Sequence, residues 1–412
     1  MTQPKDYSLN ELVAQCDPDA LPFPEIWLVL SDKRGDNGQV EIIAETLAAR
    51  LGWSYERRNV VMRPAYVKGK PRVGATLYHI DRVQSDALNP PWPDIIITCG
   101  QRPANVALWI KKKSEGRTRI VLIGKAPGHP SNFDLVVTSA EILAPQLPNL
   151  LNIGLPLMRI DSGRLTEGRN QWRANLEKLA RPLAAFLIGG PTSQLIFDTR
   201  VLNELLARAD NIVEAGGTPY FVTSRRTPPG FISQLAKKLP PGAVLYDWNV
   251  ESAHNPYTGL LALADRYLVT GDSISMIMEV VQLDKPLEIL PLPTSWLGTL
   301  DQNRRNLADY LFQPYRDTSI GERARVQLAR CLFHGRLLRQ TRHFSKFHAL
   351  LVKQGIAHWA GNDLTNCVNA RARSPARQQS DEDLEQISRR ILGLWENRSD
   401  NQNRLSDNNM QE

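Results

Sequence analysis

Short runs of consecutive apolar residues alternate with longer amphipathic stretches from residue 26 to residue 290. Ile26–Leu30 (IWLVL), Asp94–Thr98 (DIIIT), Ile120–Ile123 and Leu135–Thr138 are continuous rather than alternating, the pattern of strands covered on both faces. Between the first two, Val40, Ile43, Ala44 and Leu47 recur at helical spacing and predict a helix over 39–50; a second is predicted over 104–112. Residues 54–90 are rich in Pro and Arg and have no clear period. A second series begins at Ala184–Ile188 and continues through Tyr220–Thr223, Val244–Tyr246, Tyr267–Thr270 and Leu287–Leu290. It includes a helix over 195–208 and an apolar helical stretch with Leu260, Leu261 and Leu263. Strands and helices alternating in this way predict an α/β protein with two successive open parallel sheets.

The breaks in this pattern set the expected domains. Residues 1–20 read as a leader, 21–157 as a first Rossmann-like domain, and 158–182 as a linker with one docking helix carrying Trp172, Leu176 and Leu179. Residues 183–330 form the second Rossmann-like domain and 331–370 a basic helical region. The segment 371–412 is polar and expected to be mostly disordered, apart from a helix with Leu384, Ile387, Ile391, Leu394 and Trp395 on one stripe. From Arg336 to Lys353, basic residues alternate with Leu337, Leu338, Phe344, Phe347, Leu350 and Leu351. This fits either a face for an anionic membrane or a helix packed on the protein.

Composition narrows the class. A chain of 412 residues with 42% hydrophobic and 23% charged residues suits a globular enzyme, and cores seldom exceed roughly 250–300 residues, so two domains are expected. Net charge of +7 favours a polyanionic neighbour such as a nucleotide or an anionic membrane. No RNA-reading aromatic module or helix-turn-helix signal accompanies the charge, which argues against nucleic acid. The four cysteines, Cys16, Cys99, Cys331 and Cys367, have no metal-ligand spacing, so no metal site is expected. No apolar run reaches the roughly 18 residues of a membrane span, and the N-terminus lacks the order of a secretory signal. The expected location is the cytoplasm, or the periphery of a membrane.

In open α/β sheets, ligands bind outside the carboxyl ends of the strands. That rule selects Ser31–Gln39, Gly100-Gln101-Arg102 and Gly124–His129 in the first domain. In the second it selects Gly189-Gly190-Pro191-Thr192-Ser193, Ser224-Arg225-Arg226 and Gly271-Asp272-Ser273-Ile274-Ser275. Glycine lets backbone approach phosphate, hydroxyls donate to it, and arginine pairs with its oxygens. After Gly271-Asp272-Ser273 a helix begins and carries Glu279, so a diphosphate would meet the positive end of the helix and Glu279 the ribose hydroxyls. The same segment is also compatible with an ordinary strand–turn–helix unit. Neither a GxGxxG fingerprint nor a GxxxxGK[ST] loop occurs, which weakens dehydrogenase and NTPase readings. Asp32, Asp36 and His129 are the candidates for a catalytic acid or base; the plainer alternative for each is a purely local turn role.

Several of these pieces also carry a family resemblance: SDKRGDNGQ, PDIIITCGQRPA, DLVVTSAE, LIGGPT, VTSRRTP and NPYTGLLALADRYLVTGDSISMIMEVVQLDKPLEI. Together they resemble the mitochondrial-fission family of plants and its bacterial relatives, which are of glycosyltransferase type, over roughly residues 25–295. The last block is also similar to the donor-binding region of GT-B glycosyltransferases such as the bacterial N-acetylglucosaminyltransferase that makes lipid II. The resemblance implies a GT-B-like fold, two Rossmann-like domains facing across a cleft, with nucleotide-sugar as co-substrate and no tightly bound cofactor. It implies that Glu279 holds the donor ribose and that Ser273 and Ser275 are phosphate-turn hydroxyls. Gly189, Gly190, Thr192, Ser224 and Gly271 would then line the donor phosphates, with Arg225 as counter-charge. The acceptor would be a saccharide or a lipid-linked molecule. The first loop, Asp32-Lys33-Arg34-Gly35-Asp36, is more charged than the glycine-rich loop of that superfamily. This departure supports an alternative: a non-catalytic GT-B-fold protein that binds partners at a membrane.

Overall fold

The computed structural model describes residues 23–66, 72–192, 195–248, 254–313, 319–338, 340–361 and 375–409. They form two compact units. Unit 1 combines the chain up to Leu157 with Phe312–Thr341 and the segment from Gln379 onward, and unit 2 combines Met158–Leu311 with Arg342–Gln378.

Unit 1 is built on six strands: β1 (Ile26–Leu30), β2 (Tyr55–Asn59), β3 (Ile95–Cys99), β4 (Arg119–Ile123), β5 (Leu135–Ser139) and β6 (Leu150–Ile153). All run parallel, in the order β2-β1-β3-β4-β5-β6, with Ile26 opposite both Tyr55 and Ile95. The inner strands β1 and β3 are buried along their whole length, as their unbroken apolar runs require. The edge strand β2, YERRN, keeps charged residues exposed. Such residues suit an edge, where they discourage pairing with other chains.

Helix α1 spans Arg34–Leu51, so its first turn takes in residues expected in the preceding loop. It stops at Gly52, whose left-handed φ of 70° lets its N–H donate back to the Ala48 carbonyl. Helix α2 covers Gln101–Lys113. Val40, Ile43 and Leu47 of α1 meet Leu28 and Ile97 in one core.

Unit 2 opens with helix α3 (Ser162–Leu176), capped by Asp161, which accepts the Gly163 and Arg164 amides. Then come β7 (Leu183–Leu187), α4 (Thr199–Glu214), β8 (Thr218–Val222), α5 (Pro229–Lys238), β9 (Val244–Tyr246), α6 (Tyr257–Leu263), β10 (Arg266–Thr270), α7 (Ile274–Val281), β11 (Leu287–Leu290) and α8 (Trp296–Phe312). Helix α9 (Ile320–His334) returns to unit 1, α10 (Phe344–Lys353) and β12 (His358–Trp359) belong to unit 2, and α11 spans Pro375–Asn409. The second sheet is also all parallel, in the order β9-β8-β7-β10-β11-β12. The protein is thus α/β, with two successive Rossmann-like open parallel sheets in a GT-B-like chain layout.

Three expectations are corrected. Helix in the segment from 371 is not confined to the expected stripe: α11 runs from Pro375 to Asn409, while the stripe itself packs as expected, with Leu384, Ile387 and Ile391 in the core of unit 1 beside Ile26 and Ile43. Buried Asp383 anchors it by accepting the Gly154 N–H at 2.9 Å. The second domain does not run unbroken to 330, because the chain re-enters unit 1 at Phe312. Nor is 331–370 one basic helical region. Phe333 and Leu338 are buried in unit 1, while Phe347 and Leu351, wholly buried in unit 2, turn the apolar side of α10 inward. Among the described residues no helix is long and apolar enough to cross a membrane.

Candidate functional site

In each sheet the chain order reverses beside its first strand, between β1 and β3 and between β7 and β10. Those are the topological switch points where open α/β sheets take ligands. In unit 2 the loops leaving β7 and β10 meet there. Asp272, with its side chain wholly buried, accepts the Gly190 N–H at 2.9 Å, the Thr270 hydroxyl at 2.7 Å and Arg226 Nη2 at 2.7 Å. Thr270 Oγ1 in turn accepts the Gly189 N–H at 2.8 Å. Burial pushes the Asp272 carboxyl up, against the pull of the Gly190 amide, Thr270 and Arg226.

The two glycines are dictated by this closeness. A Cβ on Gly189 would lie 2.2 Å from Asp272 Oδ2, and one on Gly190 2.2 Å from the Arg226 carbonyl oxygen. Their amides are therefore committed within the protein, where phosphate contact was expected. The backbone of the loop after β8 is held by Thr227, whose Oγ1 donates to Gly189 O at 2.5 Å and accepts the Ser224 N–H at 2.9 Å. In that loop Arg225 is exposed, and it is Arg226 that reaches Asp272. Thr192 Oγ1 accepts the Leu195 N–H at 3.1 Å, while Ser193 lies outside the described residues.

The turn after β10 places the remaining candidates unequally. Gly271 donates its N–H to Leu290 O, and Ser273 is buried with its N–H on Thr270 O. Ser275, in the first turn of α7, is exposed. Glu279 lies four residues on, about 6 Å along the axis and on the same face. Its carboxylate accepts the hydroxyl of Tyr257, the first residue of α6. Burial raises the Glu279 carboxyl, opposed by that hydrogen bond and by Arg164, and raises the Tyr257 phenol well above its ordinary range. Behind the turn stands His348 of α10, 3% exposed, so close that a Cβ on Gly271 would lie 2.7 Å from its Cε1.

In unit 1 the switch point brings Asp36 and Gly100 together. Asp36, in the first turn of α1, sets its Oδ2 3.0 Å from where a Gly100 Cβ would stand, and Gly100 has a left-handed φ of 86°. Asp32 is exposed in the short loop after β1. That loop is pinned by Asn37, which accepts the Ser31 N–H at 3.1 Å and donates to the Ser31 carbonyl at 2.6 Å. His129 stands elsewhere, after β4. Its Nδ1 meets Ser131 Oγ at 2.7 Å and its ring stacks on His334 at 4.7 Å. Burial, then His334 and Arg336, hold its imidazole below the usual range. The structure therefore does not gather Asp36 and His129 around one common hydrogen bond.

Sequence reasoning missed the roles of Asp272, Thr270, Arg226 and Thr227. The pairing of an Asp after one strand with a glycine pair after another was their available signal. Among the described residues there is no group of three His, Cys, Asp or Glu side chains placed to hold a metal ion.

A family model described as "Mitochondrial fission ELM1" matches residues 35–309. A mitochondrial fission protein of that name from Arabidopsis thaliana is 26% identical over 220 residues, 48% of this chain; the match spans 51% of the plant protein, about half its length. An uncharacterized protein of Rickettsia prowazekii is 26% identical over 303 residues, 65% of this chain and 83% of that protein. Among solved structures, a Rickettsia africae glycosyltransferase is similar at 10% identity and a TM-score of 0.38, covering 82% of this chain and 99% of its own. The UDP-GlcNAc 2-epimerase of Methanocaldococcus jannaschii is similar at 11% identity and a TM-score of 0.40, covering 75% and 99%.

Proposed function

From a chain that belongs to the mitochondrial fission ELM1 family and places a polar turn at the switch point of its second sheet, we propose a glycosyltransferase that moves a sugar from a nucleotide-sugar to a saccharide or lipid-linked acceptor. The observation that carries this reading is the start of α7, where exposed Ser275 and half-buried Glu279 share one helix face just after the turn whose Asp272 joins the loops of β7 and β10. In this reading the first amides of α7 and the Ser275 hydroxyl take the diphosphate, helped by the positive end of the helix. Arg225 and Arg226 offset charge on the departing diphosphate, and Glu279 accepts the ribose hydroxyls. Stabilisation of developing charge by fixed donors is the main catalytic contribution asked of this unit. Asp36, at the other switch point, takes the acceptor's proton. A lipid-linked acceptor would bring the protein to an anionic membrane surface.

A second reading, a GT-B-like protein that binds partners without transferring sugar, is favoured by the internal commitment of the Gly189 and Gly190 amides and by the Tyr257–Glu279 hydrogen bond. Calorimetry with a panel of nucleoside diphosphates, followed by an assay for diphosphate release from the matching nucleotide-sugar with membrane extract as acceptor source, separates the two. Binding with turnover supports transfer, and binding without turnover supports the second reading. The absence of any nucleotide binding overturns the donor site itself.

A further inference from the structure

Outside the donor-side turn, a cavity of about 490 Å³ lies wholly within unit 1. It opens where α2 starts and where the chain leaves β4, and the segment after α9 closes one side. Its cationic lining residues are Arg72, Arg102, Lys125 and Arg336, and no carboxylate is among the described residues that line it. Arg102 is 7% exposed, its guanidinium over the Tyr66 ring at 5.3 Å and its Nε on the Tyr66 carbonyl. It is thus positioned before any ligand arrives.

Two further side chains point to an anion independently of those charges. Gln340 is 3% exposed, and its Oε1 accepts the Ala126 N–H at 2.9 Å. That bond fixes the amide orientation and leaves Nε2 of this lining residue as a donor, buried and with no hydrogen-bond partner among the described residues. His129 Nε2 is likewise buried and unpartnered among the described residues. A buried donor left unmade is costly, and a lining that combines cationic side chains and unmet donors with no carboxylate among the described residues is suited to an anion.

We propose that this cavity binds a pyrophosphate or phosphomonoester group. The volume lies in the range of small-molecule sites, about 300–1,000 Å³, and exceeds what a lone phosphate fills, leaving room for the first atoms of its carrier. The inference rests on the glycosyltransferase reading in one respect only: it makes the acceptor a phosphorylated molecule.

Calorimetric titration with inorganic pyrophosphate tests the site. It is performed with and without a saturating nucleoside diphosphate, so that unit 2 can be filled beforehand. Pyrophosphate binding should survive that saturation and weaken about tenfold for each of Arg72→Gln and Arg336→Gln, the loss of one charged hydrogen bond. Both arginines are exposed, so these variants fold, and Arg336→Glu should abolish binding. Co-sedimentation with phosphatidylcholine vesicles carrying a polyprenyl diphosphate, against vesicles without it, tells a lipid-borne group from a soluble one. Nucleotide binding with no pyrophosphate binding in either arm overturns the cavity assignment and leaves the donor reading standing. Pyrophosphate binding that is unchanged in all three arginine variants, or lost on nucleotide saturation, also overturns it.

Discussion

The buried carboxylate of Asp272 and the backbone N–H of Gly190, 2.9 Å apart, join the loops that leave two neighbouring strands of the second sheet. The residues are 82 positions apart in sequence, and their contact closes the switch point on one side. Asp272→Ala would leave the Gly190 N–H and the Thr270 hydroxyl without their acceptor, at about 1–3 kcal/mol for the unmet buried donors. Arg226, whose side chain is 47% exposed, would turn to water, so its lost ion pair adds little. Urea unfolding should show that loss for Asp272→Ala and a smaller one for Asp272→Asn. Equal stability of Asp272→Ala and wild type would deny the joint.

Glycine substitutions should separate close packing from plain flexibility. Gly190→Ala forces a Cβ to 2.2 Å from the Arg226 carbonyl, and such overpacking costs about 1–3 kcal/mol. Gly38 lies within α1 with nothing inside 4 Å of an added Cβ. Gly38→Ala should therefore stabilise by about 0.5–1 kcal/mol, since alanine loses less backbone freedom in a helix. Thermal denaturation of the two variants should move in opposite directions.

The central strands were legible because burial on both faces leaves continuous apolar runs such as IWLVL and LAAFL. The edge strand YERRN carries no such run, since an edge strand need not be apolar, and it was hidden in the unpatterned 54–90 segment. The start of α1 was misplaced because Gly35, Asp36 and Gly38 read as turn residues, and tertiary packing of Val40 and Ile43 overrides that local preference. At the site, loops could be chosen by the strand-end rule, but partnership could not. Which arginine of Ser224-Arg225-Arg226 reaches an acid depends on the turn that Thr227 closes. The glycine pair was read as a phosphate loop because sequence reveals small residues, not whether their amides are already spent.

Glu279 offers a test of ligand contact against a purely internal role. Glu279→Ala should weaken nucleoside diphosphate binding by about 1.5–3 kcal/mol, the range for hydrogen bonds to a charged acceptor. Tyr257→Phe removes the internal partner of the same carboxylate and should leave affinity nearly unchanged. Isothermal calorimetry on both variants decides. Equal losses would mean that the Tyr257–Glu279 pair shapes the fold of unit 2 and does not meet ribose.

His348 gives unit 2 a pH signature. The imidazole is buried against Gly271, hydrogen-bonds its backbone, and is held down to about 4 chiefly by desolvation. Its folded value lies below the unfolded value of 6.5, so the unfolded chain binds the proton first. The stability it contributes is present above 6.5 and is lost as pH falls towards about 4, by up to about 3 kcal/mol. In His348→Gln the side chain keeps a hydrogen-bond donor for Gly271 but does not titrate. Subtracting the unfolding free energies of this variant from those of wild type, measured at steps from pH 7 to pH 4, cancels the carboxylates common to both. The difference should move against wild type as the pH drops. A flat difference curve would mean that the imidazole is protonated alike in the folded and unfolded chain, and that its place behind the Gly271 turn is hydrated.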